Sequence, residues 1–279
     1  YKMVLLDMDG TLLDDQKNIS LENVEVLKRL EQKGVIVGIA TGRRYSFAKP
    51  VLLRYGLNAV FFSNNGNTTW EMESGQLLDC NTISKKHFTD ILNMGYKMDL
   101  HPILHVNLYH KGYDLVTEFD DTFQGYKGYI AKTTTNLLIL EDLASLDDAT
   151  VMIMCYAGEL ETVQKLQEKI EQKYPEDIHT HITMSLKRIG PLLEISNKDG
   201  TKWHAAMKYA SKMGIRQEEI IAIGDDNNDV DMIEHAGLGI AMKNSTDFAK
   251  AKADWVLEYD NNQSGVAEAL KVLFQDELK

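Results

Sequence analysis

The chain has 279 residues, 44% of them apolar, and a formal net charge of −12. That supply of apolar side chains can build a full core, in one large domain or two modest ones. The acidic balance and the lack of a basic run argue against nucleic acid or an anionic membrane as partner. An anionic small substrate would need a local positive charge instead. Cys80 and Cys155 are the two cysteines, too few for a disulfide framework or a cysteine zinc site, and they read as free thiols in a reducing compartment. No stretch approaches the ~20 apolar residues of a membrane span, and the start shows no basic-then-apolar signal, so a cytoplasmic location is expected.

The chain opens on Val4-Leu5-Leu6, a run suited to a doubly covered parallel strand, which changes abruptly to Asp7-Met8-Asp9-Gly10-Thr11-Leu12. In an extended segment residues i and i+2 point the same way, so Asp7 and Asp9 present two carboxylates together. Apolar residues at helical spacing predict a crossover helix over Ile19 to Lys33, starting near Ser20 and ending before Gly34. A second strand, Val35 to Ala40, ends at Thr41-Gly42-Arg43-Arg44. A helix to about Tyr55 and a third strand, Ala59 to Phe62, lead to Ser63-Asn64-Asn65-Gly66. Three βα units in succession predict a parallel sheet with right-handed crossovers.

From about Thr82 the pattern changes. Helices over Ser84 to Asn93 and Glu159 to Lys173, strands over Ile103 to Tyr109 and Ala149 to Tyr156, and a hairpin of Thr180 to Leu186 with Leu192 to Ser196 around Gly190-Pro191 predict an inserted α+β domain at 83–196. Tyr113 to Asn136 stays unassigned. The first pattern resumes with a helix over Thr201 to Met213 and a fourth apolar strand, Glu219 to Gly224, ending at Asp225-Asp226-Asn227-Asn228-Asp229. A helix over Val230 to Ala236, strands at Leu238 to Met242 and Trp255 to Leu257, and a closing helix from Gly265 complete a core at 1–82 and 197–279. No internal repeat is present, which excludes solenoids.

Ligands of open α/β sheets bind beyond the carboxyl ends of the strands. Those ends carry Asp7/Asp9, Thr41, Asn65 and Asp225/Asp229; any one cluster alone reads as a turn, but four on one edge read as a site. Carboxylates with no sulfur or paired histidines favour a hard cation bound by oxygen, and one that meets phosphate is typically Mg²⁺. No EF-hand, P-loop or dinucleotide fingerprint occurs, and no His-x-x-x-His pair supports a zinc site.

These residues closely resemble the haloacid dehalogenase superfamily of phosphohydrolases, and within it the Cof-like branch with a large α/β cap. The first motif is Asp7-Met8-Asp9-Gly10-Thr11-Leu12, the second Thr41-Gly42-Arg43, the third Lys202, the fourth Gly224 to Asp229. One departure shows: the usual Lys-Gly of the third motif is Lys202-Trp203. The resemblance implies a Rossmann-like core that transfers phosphate to water and a cap that excludes bulk water and selects the leaving group. It implies Asp7 as nucleophile and Asp9 as general acid and base, its pKa raised by the nearby acids and the dianionic phosphate when substrate is bound. Mg²⁺ would be held by Asp7, the backbone carbonyl of Asp9 and Asp225, with Asp229 and Asn228 ligating or orienting. Thr41, Gly42, Asn65, Lys202 and Asn228 would meet the phosphoryl oxygens.

Among the weaker candidates, Arg43 reads equally as a phosphate ligand or as an interdomain or helix-start contact. Arg44 reads as a solvated charge, Asn64 as structural and Arg188 as an exposed hairpin charge. The expected substrate is a small phosphorylated metabolite such as a sugar phosphate. A phosphosugar mutase using the same aspartate, and a non-catalytic phosphometabolite sensor, are the alternatives. No heptad pattern or other dimer signature gives an oligomeric state.

Overall fold

The computed structural model describes residues 1–120, 126, 136–184 and 190–276. Two compact units make up the chain, one from Tyr1–Asp79 with Thr201–Lys279 and the other from Cys80–Gly200.

The first unit begins with β1 (Met3–Asp7), in which every residue is buried, as a strand covered on both faces requires. Helix α1 (Leu21–Gln32) is started by Ser20, whose hydroxyl accepts from the Asn23 amide, and turns Val24, Leu27 and Leu30 inward. It returns the chain to β2 (Ile36–Ala40), after which α2 (Tyr45–Leu53) leads to β3 (Val60–Ser63). The sheet is parallel from β1 to β3, but the next pairing departs from an all-parallel sheet. Asn64, Asn65 and Gly66 take φ values of 52°, 55° and 90°, and this left-handed run folds the chain back as β4 (Thr68–Glu71), antiparallel to β3. Strand β5 (Leu77–Cys80) extends that edge. Asn-Gly between two apolar runs is a hairpin signal, and here it coincides with a strand end that also carries a site residue.

The second unit comprises α3 (Lys85–Tyr96), β6 (Ile103–Leu108), β7 (Tyr113–Thr117), β8 (Leu137–Ile139), β9 (Val151–Ala157), α4 (Leu160–Lys173), β10 (Ile178–Thr183) and β11 (Leu192–Asn197). Its sheet runs β10-β11-β9-β6-β7-β8, antiparallel except for β7 and β8. Side chains alternate along its strands. Leu104, Val106, Met154, Tyr156, Leu193 and Ile195 pack with both helices. Ile103, Leu115, Tyr126, Cys155 and Leu192 form a separate cluster. On β11, Glu194 stands opposite His181 and Cys155. Burial raises its pKa to about 7.

The chain then re-enters the first unit through α5 (Lys202–Lys212), β12 (Ile220–Gly224), α6 (Val230–His235), β13 (Leu238–Ala241), α7 (Asp247–Lys252), β14 (Trp255–Val256) and α8 (Gly265–Leu273). The sheet order is β14-β13-β12-β1-β2-β3-β4-β5. Strands added after β1 run one way and those after β12 the other, so the direction of winding reverses between β1 and β12. Among the described residues no helix is long and apolar enough to cross a membrane.

Candidate active site

At that reversal β1 and β12 lie parallel, with Leu6 beside Ile223, so Asp7 and Asp225 leave the same sheet edge next to each other. The turn after β1 is shaped around the second acid. Thr11 Oγ1 donates to Asp225 Oδ1 at 2.9 Å. Gly10 sits at φ +85°, and a Cβ there would overlap the Asp225 carboxylate. Asn244 Nδ2 donates to the Gly10 carbonyl at 2.8 Å. Thr11 and Asn244 are site-shaping residues that sequence reasoning missed; Thr11 lay inside the first motif, whereas Asn244 gave no local signal.

Lys202 opens α5, whose N-terminus is capped by Thr201. Its Nζ donates to Asp7 Oδ1 and Asp229 Oδ1, each at 2.6 Å. All three side chains are buried. Burial disfavours the charged amine, but Asp229 and Asp7 outweigh it and raise the Lys202 pKa. Burial, and then repulsion from Asp229 and Asp225, push Asp7 well above the usual carboxylate range against the pull of Lys202. Burial and Asp229 likewise bring Asp225 to about 7. The departure at Trp203 leaves this geometry intact. One residue further round the helix, the indole packs into the core with Met3, Leu5 and Phe62.

Asp7, Asp225 and Asp229 each offer an oxygen, all within 4.8 Å of one another. One lysine among three carboxylates leaves surplus negative charge, and an all-oxygen anionic donor set fits a hard divalent cation. The three acids are not equivalent. Asp229 Oδ1 accepts from Lys202, and its Oδ2 accepts from the amides of Asp225 and Asp226 at 3.0 Å each, so both of its oxygens carry hydrogen bonds.

Asp9 is paired with two cations. Arg43 grips its carboxylate with both Nε (2.6 Å) and Nη2 (2.7 Å), and Lys17 Nζ adds a third bond at 2.7 Å. Burial pulls the Asp9 pKa upward, but Arg43 and Lys17 outweigh it and the net direction is down. The raised pKa expected of Asp9 belongs to the enzyme with a phosphate dianion bound; in these surroundings, with Arg43 and Lys17 on the carboxylate, the direction is down. Any share of Asp9 in a cation site falls to its backbone carbonyl.

The remaining candidates gather on the ends of β2 and β3. Thr41 is buried and its Oγ1 accepts from the Arg43 amide; its carbonyl accepts from the Asn65 amide. Gly42 lies against the Asn65 amide group, and Asn228 Nδ2 donates to Asn65 Oδ1 at 3.2 Å. Asn64 is buried. Arg44 is not solvated as expected: it is 6% exposed and stacks over Phe47. Arg188 lies outside the described residues.

A family model for haloacid dehalogenase-like hydrolases matches residues 4–270. The chain belongs to the haloacid dehalogenase-like hydrolase family. It is a hydrolase of the Cof-like branch. Among relatives of this family, it is 26% identical over 276 residues to the 5-amino-6-(5-phospho-D-ribitylamino)uracil phosphatase YcsE of Bacillus subtilis, spanning 97% of this chain and 94% of the relative. It is 26% identical over 246 residues to the HMP-PP phosphatase of Serratia proteamaculans, spanning 88% and 85%. Among solved structures, TM0651 of Thermotoga maritima superposes with a TM-score of 0.79 at 25% identity, covering 98% of this chain and 97% of that one.

Proposed function

We propose that this hydrolase is a Mg²⁺-dependent phosphatase of small phosphorylated metabolites, sugar phosphates among them, and that Asp7 attacks phosphorus to form an aspartyl-phosphate. The observation that carries this is the buried Asp7–Lys202–Asp229 triad at the winding reversal of the sheet. It fixes one oxygen of Asp7 and leaves Oδ2 without a hydrogen bond among the described residues. A carboxylate held this way has lost the freedom that would otherwise slow an in-line attack. The P–O bond of the substrate breaks as the Asp7 Oδ2–P bond forms, and the electron pair goes to the leaving oxygen.

Lys202 keeps its proton and offers a fixed positive charge to the transferring phosphoryl group. Thr41, Gly42, Asn65 and Asn228 are the neutral groups we assign to the phosphoryl oxygens. Asp9 protonates the leaving oxygen and in the second half of the reaction takes a proton from water as that water attacks phosphorus, freeing Asp7. A phosphate dianion arriving beside Asp9 raises its pKa from the resting position. Asp7, Asp225 and the Asp9 carbonyl would hold Mg²⁺, with Asp229 orienting, and the bound ion would supply charge neutralisation at the phosphoryl oxygens.

The names of the phosphatase relatives support the reaction class. Selection of the leaving group we assign to the inserted unit. The test is inorganic phosphate release from a panel of phosphomonoesters with and without Mg²⁺. Release should require the metal and collapse in Asp7→Asn; activity surviving that change removes the nucleophile assignment. Isomerised phosphosugar without net phosphate would mark a mutase.

A further inference from the structure

The tightest cluster of positive charge that this acidic chain brings to its site, apart from Lys202, is spent on one carboxylate. Arg43 comes from the end of β2, and its backbone is pinned there, because its carbonyl accepts from the Asn64 amide and its amide donates to Thr41 Oγ1. Lys17 comes from the loop after β1. That loop is tied by Asp14, whose carbonyl accepts from the Lys17 amide and whose side chain accepts from the Asn18 amide. Lys17 itself is left-handed at φ 64°, a conformation a lysine adopts only when the surrounding turn demands it. Two separate loops thus aim two cations at Asp9, and three of the lone-pair directions on its oxygens are taken.

This arrangement conflicts with the duty given to Asp9 in the proposed reaction. A carboxyl that hands a proton to the leaving oxygen cannot at the same moment be gripped on both oxygens by Arg43 and Lys17. When Asp9 turns to the leaving group, a guanidinium and an ammonium lose their counter-charge beside that leaving group. Lys17 is the more exposed of the two, with 55% of its side chain accessible against 26% for Arg43. Both remain open to something arriving from solvent. The replacement counter-charge comes at least cost from the substrate.

We propose that Lys17 and Arg43 form an anion receptor, held by Asp9 until substrate arrives, and that the preferred substrates are phosphomonoesters whose leaving group bears a second acidic group close to the ester oxygen. This rests on the phosphatase reading and narrows it. The planar fork of Arg43 matches a carboxylate or a phosphate equally, so the chemistry named is an anion, with Lys17 as the accessible point charge.

The test uses one two-carbon frame carrying three end groups: ethylene glycol monophosphate (hydroxyl), phosphoglycolate (carboxylate) and ethylene glycol bisphosphate (phosphate). Wild-type enzyme should favour one or both anionic esters by about tenfold or more in kcat/KM, as a net gain of one charged contact gives, chiefly through KM. Which of the two is favoured identifies the source of the anion. In Lys17→Met the ratio of anionic to neutral ester should fall to within about twofold, and Lys17→Arg should keep it. The ratio cancels any general damage to the site.

Phosphate release from all three esters without preference would overturn the receptor while leaving the phosphatase standing. So would a Lys17→Met enzyme that keeps the wild-type ratio. If none of the three is turned over, their inhibition constants against an ester that is turned over are compared in the same way. Absence of phosphate release from every ester would strike the phosphatase reading itself.

Discussion

Lys202→Met is the change with the most to say about how the site is held. It keeps the length and apolar stem of the side chain and removes the charge that sits 2.6 Å from both Asp7 and Asp229. Removing one partner of a buried ion pair costs about 3–5 kcal/mol, because the charge left behind has neither water nor counter-ion. Here two carboxylates are left facing each other, and the cheapest relief is for one to take up a proton. A carboxylate whose folded pKa is raised above its unfolded value contributes stability that is fully present below the unfolded pKa and is lost as pH rises through the folded one. The variant should therefore lose about 3 kcal/mol or more at pH 8 and less at pH 5.5.

The three tryptophans, Trp70, Trp203 and Trp255, all belong to the unit that carries the site, so their fluorescence in a urea titration reports that unit. With a slope of about 2 kcal/mol/M, the midpoint at pH 8 should drop by about 1.5 M. Added Mg²⁺ should recover part of the loss in stability without recovering activity. A drop worth less than about 1 kcal/mol, or a pH dependence matching the wild type, would refute the picture of a buried charge triad.

Other expectations follow from single features. Gly66 lies at φ +90°, and a Cβ there would overlap the Thr201 carbonyl at the start of α5. Gly66→Ala should destabilise the site-bearing unit by about 1–3 kcal/mol and lower kcat by shifting Lys202, both readable by the same titration and a phosphate assay. Glu194, brought from its ordinary 4.5 to about 7 by burial alone, should weaken the inserted unit as pH rises through about 7. By linkage the loss is about 1–3 kcal/mol, the lower figure allowing for its partial exposure. Glu194→Gln should therefore match the wild type at pH 4.5 and exceed it at pH 8 in the hydrogen-exchange protection of β9 and β11; equal pH slopes would contradict this.

What could be read from the sequence was whatever is local. A strand covered on both faces is a continuous apolar run, and its end is marked by an abrupt change to acids, amides and glycine. The four strand ends and their order were therefore plain, as was helix α1 from Ser20 to its last turn. Lys202 was harder, since the expected glycine after it was a tryptophan. The helical rotation between successive residues resolves that difficulty, because Lys202 faces Asp7 while Trp203 faces Met3 and Leu5. Contacts set by the tertiary fold were not readable. Arg43 reaches Asp9 across 34 residues and Asn244 reaches Gly10 across 234, and neither pair leaves a pattern in its own segment. Arg44 looked like a surface charge because nothing in the sequence places Phe47 beneath it. The antiparallel β4 was hidden because Asn64 to Gly66 serves at once as hairpin turn and as site loop.

The proposed reaction requires that Asp7 become covalently phosphorylated. Acid quenching of the enzyme during turnover of a good phosphomonoester, followed by peptide mass spectrometry, tests it directly. A phosphoryl group should be found on the peptide containing Asp7, localised to that residue, formed only with Mg²⁺ and absent from Asp7→Asn. Turnover with a phosphoryl group on another residue, or with none on the protein while phosphate is released at full rate, would contradict it.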